Sequence, residues 1–261
     1  MAKVKTDDGH ALGYREAGEG NATPIVFLHG VGSDKSVWHP QLDHFGKTRR
    51  TIAFDYPGYG DSDPAPAGTT RDDYAAAILA AMLALGVDRA HICGLSLGGV
   101  IAIALNHAEP EACASLILAD TFAVHPEGQA IHDRSVTASA DMAALAKGRV
   151  DALLASPAKE AVRAEVVDTM AAIDPAAFRI GAEAVWLANQ RDRAAAIRVP
   201  TLVICGDRDT VTPPALSYEL GSLISGARVA MIEAAGHLGN LERPGEFNRL
   251  VAEFIGAEEP A

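Results

Sequence analysis

Between Ala90 and Val100 the chain reads as an apolar strand, one abrupt turn and the start of a helix, with Gly94-Leu95-Ser96-Leu97-Gly98 at the turn. A serine on so sharp a strand-to-helix corner sits near positive φ with its hydroxyl pushed outward, and the residues two positions to either side must lack bulk. The free N–H groups and dipole of the following helix point at any anion formed beside Ser96. That is where a nucleophile belongs. A glycine-rich βα turn would by itself explain the same five residues, so the rest of the chain must supply a base, an acid and donors for an oxyanion.

A serine hydroxyl is a poor nucleophile at neutral pH until a base takes its proton. Of the nine histidines, His237 follows the last predicted strand, where a loop can reach over the strand ends. The base needs a carboxylate to fix its tautomer and stabilise the imidazolium. Asp209, in Gly206-Asp207-Arg208-Asp209-Thr210-Val211-Thr212-Pro213, and Asp120, at the end of the strand after the serine helix, are both placed to do so. Asp207 stands nearer its strand and suits capping or bracing. An oxyanion needs at least two N–H donors. Leu97 offers one and Val31, in His29-Gly30-Val31-Gly32, the other; Gly30 and Gly32 let the backbone approach a substrate.

These residues must be brought together by the elements around them. Apolar runs predict strands at Ala11–Ala17 (an edge strand), Ile25–Leu28, Thr51–Phe54, Ala90–Leu95, 115–119, 201–205 and Arg228–Ile232. Helical spacing predicts helices over 71–85, 97–107, 214–224 and 244–255, with Gly86 as a helix stop and the acidic tail after Gly256 frayed. From 122 to 196 strand patterns vanish, and Ala, Asp, Glu and Arg at helical periods predict three or four helices broken by Pro126, Pro157 and Pro175. Alternating strands and helices specify an α/β fold with a mostly parallel central sheet and helices on both faces. Residues 1–121 and 197–261 form that core, and 122–196 are a helical insertion.

Composition narrows the partners. A 49% hydrophobic chain of 261 residues can bury one large core and is too apolar for disorder. A formal net charge of −12 opposes nucleic-acid and anionic-membrane surfaces. No apolar run approaches the ~20 residues of a membrane span, and the polar N-terminus lacks a signal-peptide core, so cytoplasmic residence is expected. Cys93, Cys113 and Cys205 are too few for a disulfide scaffold, and without a HExxH pair or Cys/His cluster no metal or cofactor is expected. Oligomeric state is not legible.

Taken together, Phe27-Leu28-His29-Gly30, Asp55-Tyr56-Pro57-Gly58-Tyr59-Gly60-Asp61-Ser62, Gly94-Leu95-Ser96-Leu97-Gly98-Gly99, 200–209 and 235–244 resemble the α/β-hydrolase fold family over nearly the whole chain. The resemblance implies a triad in the order Ser96, Asp209, His237, places Asp209 ahead of Asp120, and makes 122–196 a cap over the site. Within the fold, 93–99, 209–214 and 174–192 are most similar to 3-oxoadipate enol-lactone hydrolases and related small carboxylesterases. Ser96 stands where haloalkane dehalogenases and epoxide hydrolases carry an aspartate nucleophile. Leu238 stands where carbon–carbon hydrolases of the meta-cleavage type carry tryptophan.

The expected activity is cleavage of a small carboxylic ester or lactone through an acyl-enzyme on Ser96. A cofactor-free perhydrolase or haloperoxidase and a meta-cleavage-type hydrolase would use the same triad, and a hydrolase-fold ligand receptor would use the pocket for binding. Trp38, Met142 and Trp186, with Leu145 and Val185, are candidates to line an apolar pocket. For a carboxylated lactone, Arg134, Arg149, Arg179 and Arg191 are candidate anchors.

Overall fold

The structure, a computed structural model, describes residues 2–7 and 9–258. In chain order the elements are β1 (Ala2–Lys5), β2 (Ala11–Ala17), β3 (Ile25–Leu28), α1 (His39–Phe45), β4 (Thr51–Phe54), α2 (Arg71–Ala84), β5 (Ala90–Leu95), α3 (Leu97–Ala108) and β6 (Cys113–Ala119). Five helices follow: α4 (Gly128–Ala138), α5 (Met142–Leu153), α6 (Glu160–Ala171), α7 (Pro175–Trp186) and α8 (Arg191–Ala196). The chain then completes the sheet with β7 (Thr201–Gly206), α9 (Pro214–Leu223), β8 (Arg228–Ile232), α10 (Gly239–Glu242) and α11 (Pro244–Glu258).

Among the described residues eight strands form one sheet, in the order β1-β2-β4-β3-β5-β6-β7-β8. The pairs β1/β2 and β2/β4 are antiparallel; the others are parallel. Every residue of β3, β4, β5 and β7 is buried, as continuous apolar runs covered on both faces should be. On one face α1 packs against α11; on the other α2, α3, α8 and α9 pack in series.

The chain runs outward from β3 to β4 and then returns to place β5 on the opposite side of β3. This reversal opens a crevice at the C-terminal strand ends, where open α/β sheets bind ligands. In the β3/β5 register Leu28 lies opposite Gly94, so the chain segments that follow, Gly30 and Ser96, emerge side by side.

Three expectations need correction. Ala11–Ala17 is not an edge strand, because β1 pairs outside it; β1 escapes the apolar pattern since only Val4 in it is buried. Residues 122–196 hold five helices rather than three or four, the extra one being the six-residue α8. The tail does not fray at Gly256, because α11 continues through Glu258; residues 259–261 lie outside the described part.

The crowding behind the serine turn yields a prediction. A Cβ on Gly98 would lie 2.1 Å from the Leu28 carbonyl oxygen, a backbone atom with no room to move, whereas one on Gly148 in α5 meets nothing within 4 Å. Gly98→Ala is therefore expected to lose about 2–3 kcal/mol in urea unfolding. Gly148→Ala should gain up to about 1 kcal/mol from helix propensity. An unchanged midpoint for Gly98→Ala would show that α3 can slide away from β3.

Candidate active site

Ser96 caps α3 with φ 54° and ψ −113°, a region that side chains avoid, so the turn stores strain that its surroundings must hold. They do so from several directions. Its N–H donates to Ala119 O (2.9 Å), its carbonyl accepts from the Thr121 hydroxyl (2.8 Å), and α3 winds directly from it through Gly99 N–H (3.0 Å). A Cβ on Gly94 would strike Gly98 O at 2.2 Å, and one on Gly99 would strike the Thr121 side chain. The glycines are thus required by contact distance.

The loop after β3 faces the serine, with the Cβ position of Gly30 3.4 Å from Ser96 Cβ. Three side chains fix its peptides. His29 is fully buried and its Nδ1 lies 2.8 Å from Gly30 O, so that nitrogen carries the proton. Burial lowers its pKa and keeps the ring neutral. Tyr56 donates to His29 O (2.9 Å) and Tyr59 to Val31 O (3.3 Å). Beneath them Lys35 binds Asp55 and Asp61 through Nζ (2.5 and 2.6 Å), tying this loop to the one after β4. Among the described residues, neither the Val31 nor the Leu97 N–H donates a hydrogen bond.

Asp209 and His237 come from the loops after β7 and β8. Those loops touch backbone to backbone: a Cβ on Gly206 would lie 2.2 Å from Gly236 O, and Arg208 N–H donates to Ala235 O (2.9 Å). Asp209 Oδ2 lies 2.9 Å from His237 Nδ1 and accepts from the Thr212 hydroxyl at 2.6 Å. Its Oδ1 accepts from the N–H groups of Val211 (2.7 Å) and Thr212 (3.0 Å). Burial alone would raise the Asp209 pKa. The His237 charge, its hydrogen bond and the Thr212 donors outweigh burial and hold the carboxylate below its ordinary range.

Asp120 is also fully buried, at φ 45°, with Oδ1 accepting from Gly206 N–H (2.9 Å) and Oδ2 without a hydrogen-bond partner among the described residues. Burial, then the neighbouring Asp209 charge, raise its pKa well above the carboxylate range. Asp207 is exposed at its side chain and braces the loop through its N–H to Ile232 O (3.0 Å).

Ser96 and His237 open onto one cavity with Gly30, Val31, Leu153, Arg149, Val166, Met170, Phe178, Trp186, Leu238 and Leu241, among others. The core supplies one wall and α5, α6 and α7 the other. Its free volume is ≈ 40 Å³. Of the expected lining residues, Trp186 takes part, packed on Phe122 (5.9 Å) and edge-on to His125 (5.5 Å). Trp38 does not: it is buried between Phe27 (4.8 Å) and Phe247 (5.9 Å), and its neighbour Val37 faces the cavity. Met142 does not either; the methionine that reaches the cavity is Met170, pressed on Gly32. Val185 is buried away from it, and Leu145 lines the adjoining cleft.

The four arginines separate. Arg134 and Arg179 are exposed, the latter bonded to Ser139 Oγ (3.2 Å), and Arg191 pairs with Glu219. Arg149 lines the cavity, and its one hydrogen bond among the described residues goes to Ser135 Oγ at 3.5 Å. Glu242 carries no signal in the sequence that marks it as part of the site. It accepts from Gly236 N–H and Ala155 N–H, both at 2.7 Å, joining the His237 loop to the end of α5.

Residues 25–250 match the family described as "Alpha/beta hydrolase family". The chain is 27% identical over 256 residues to 3-oxoadipate enol-lactonase 1 of Acinetobacter baylyi, covering 97% of this chain and 96% of that one. It is 28% identical over 243 residues to a pimeloyl-[acyl-carrier protein] methyl ester esterase of Neisseria meningitidis, covering 88% and 76%. The crystal structure of the enol-lactonase from Burkholderia xenovorans LB400 superposes with a TM-score of 0.90 at 31% identity, covering 98% of this chain and 100% of that one. A family match from β3 into α11, together with a solved structure that superposes over 98% of the chain, identifies the chain as a member of the alpha/beta hydrolase family.

Proposed function

We propose that the protein is a serine hydrolase that cleaves a small carboxylic ester or lactone by acyl transfer, with 122–196 as a cap over the site. The observation that carries the reading is the 2.9 Å contact of buried Asp209 with His237, whose cavity is also lined by Ser96 at positive φ. Asp209 fixes the proton on His237 Nδ1, which leaves Nε2 as the base for the Ser96 hydroxyl. Ser96 Oγ attacks the carbonyl carbon while His237 takes the proton, and the Val31 and Leu97 N–H groups hold the oxyanion. Collapse of the tetrahedral intermediate breaks the acyl–oxygen bond as His237 protonates the leaving oxygen. Water, deprotonated by the same histidine, then attacks the acyl-enzyme and releases the acid with Ser96 restored.

Within that class we favour an acyl group that bears a carboxylate, as in an enol-lactone. Arg149 supports this, since it lines the cavity and among the described residues no carboxylate pairs with it. Burial lowers its pKa, the mark of a guanidinium short of compensating charge. The names of the lactonase relatives point the same way.

Two experiments test this. Ser96→Ala and Asp209→Asn are each expected to lower kcat on p-nitrophenyl acetate by about 10³-fold or more; turnover within tenfold of the parent for Ser96→Ala would sink the acyl-enzyme. For substrate, a lactone with and without a carboxylate is compared in the parent and in Arg149→Gln. Loss of one charge-assisted contact should raise KM for the carboxylated lactone about 10–100-fold and leave the neutral one unchanged. Equal effects on both lactones would remove Arg149 as the anchor.

A further inference from the structure

We propose that Asp120 is a positioning residue that stays protonated in the folded enzyme and presents its O–H to the carboxylate of Asp209, so that the two acids carry one negative charge between them. The inference rests on the triad reading above for what it does to catalysis, but its physical basis is separate. Asp120, Asp209 and Cys205 place ligand-capable atoms within 4.8 Å of one another, all three side chains being buried. Two carboxylates that close and that dry cannot both ionise, so one proton is retained.

Donor inventory decides which acid holds it. Asp209 has the His237 ring and the Thr212 hydroxyl on Oδ2, and two N–H groups on Oδ1. Among the described residues Asp120 has one backbone donor, Gly206 N–H on Oδ1, and its Oδ2 is buried without a hydrogen-bond donor. An ionised carboxylate would leave that oxygen bare. A protonated one turns it into a donor, and the Asp209 side chain is within its hydrogen-bonding reach. Of the remaining groups, the Cys205 thiol favours an ionised Asp120 by hydrogen bonding, but burial and the Asp209 charge outweigh it. Burial keeps the Cys205 thiol neutral, with Sγ turned to Gly206 O (3.3 Å); His125 and Glu242 act on Asp209 only through their fields.

A neutral donor on the far side of Asp209 restrains the carboxylate without adding charge to the Asp209–His237 pair. It therefore orients the acid and leaves the basicity of His237 to Asp209 alone. Asparagine has the same shape, with an amide N–H₂ where Asp120 has its O–H and a carbonyl to accept from Gly206, so it should replace Asp120 in both roles.

The test compares Asp120→Asn and Asp120→Ala with the parent. Asp120→Asn should keep kcat/KM on p-nitrophenyl acetate within about threefold and leave the acid limb of its pH profile in place, while Asp120→Ala should lose about tenfold or more. Loss of activity in Asp120→Asn as deep as in Asp209→Asn, or an acid limb moved to lower pH by removal of a negative charge near His237, would overturn the proposal. A second measurement needs no turnover. The unfolded chain releases the Asp120 proton above about pH 4 while the fold retains it, so the parent loses stability as pH rises and Asp120→Asn does not. The Tm of Asp120→Asn minus that of the parent should widen between pH 4 and 7; a flat difference would show Asp120 ionised in the fold. Should Ser96→Ala keep full activity, the acyl-transfer reading falls and the Tm comparison still decides the state of Asp120.

Discussion

The Leu28 carbonyl oxygen and the Cα of Gly98 stand so close that no side chain fits between β3 and the start of α3. The same is true of Gly206 against Gly236 at the other side of the site. Neighbouring parallel strands are ~5 Å apart, so loops leaving adjacent strand ends meet backbone first unless side chains hold them off. At these two points nothing holds them off, and everything at the site follows. Ser96 is forced into its strained corner beside Gly30, and the Asp209 loop lies against the His237 loop. Packing that crowded is stiff, which is what a strained turn needs to persist.

Charge is handled with equal restraint. The chain carries a formal −12, yet among the described residues that line the cavity Arg149 is the one full-time cation, and His29 beneath the Val31 loop is neutral through burial. Asp209 is surrounded by four donors and is the natural home for a negative charge; Asp120, one strand over, has a single backbone donor among the described residues. Glu242 extends this order outward by tying the His237 loop to the end of α5, the helix that carries Arg149. A group that engages Arg149 is thereby mechanically connected to the loop bearing the imidazole.

Much of this was legible in the sequence, for a physical reason. Strands buried on both faces must be continuous apolar runs, so Ile25–Leu28, Thr51–Phe54 and Ala90–Leu95 stand out. A strained turn in contact with two backbones must be flanked by glycine, so the surroundings of Ser96 stand out too. What escaped depends on direction in space. Trp38 and Val37 are adjacent, and only the packing of Trp38 on Phe27 and Phe247 decides which of them faces the cavity. Met142 and Met170 sit on alanine-rich helices whose sequences do not say which end approaches the core. The edge strand β1 was hidden because three of its four residues face solvent. Arg149 could not be told from Arg134, Arg179 or Arg191 until the turn of α5 was known.

The most direct test of the account is chemical. The enzyme is treated with a fluorophosphonate, digested, and the modified residue located by mass spectrometry, with and without His237→Ala. Rapid, stoichiometric modification of Ser96 that falls away in His237→Ala is the result the account requires. Modification of another residue, or of Ser96 at the same rate without the imidazole, would contradict it.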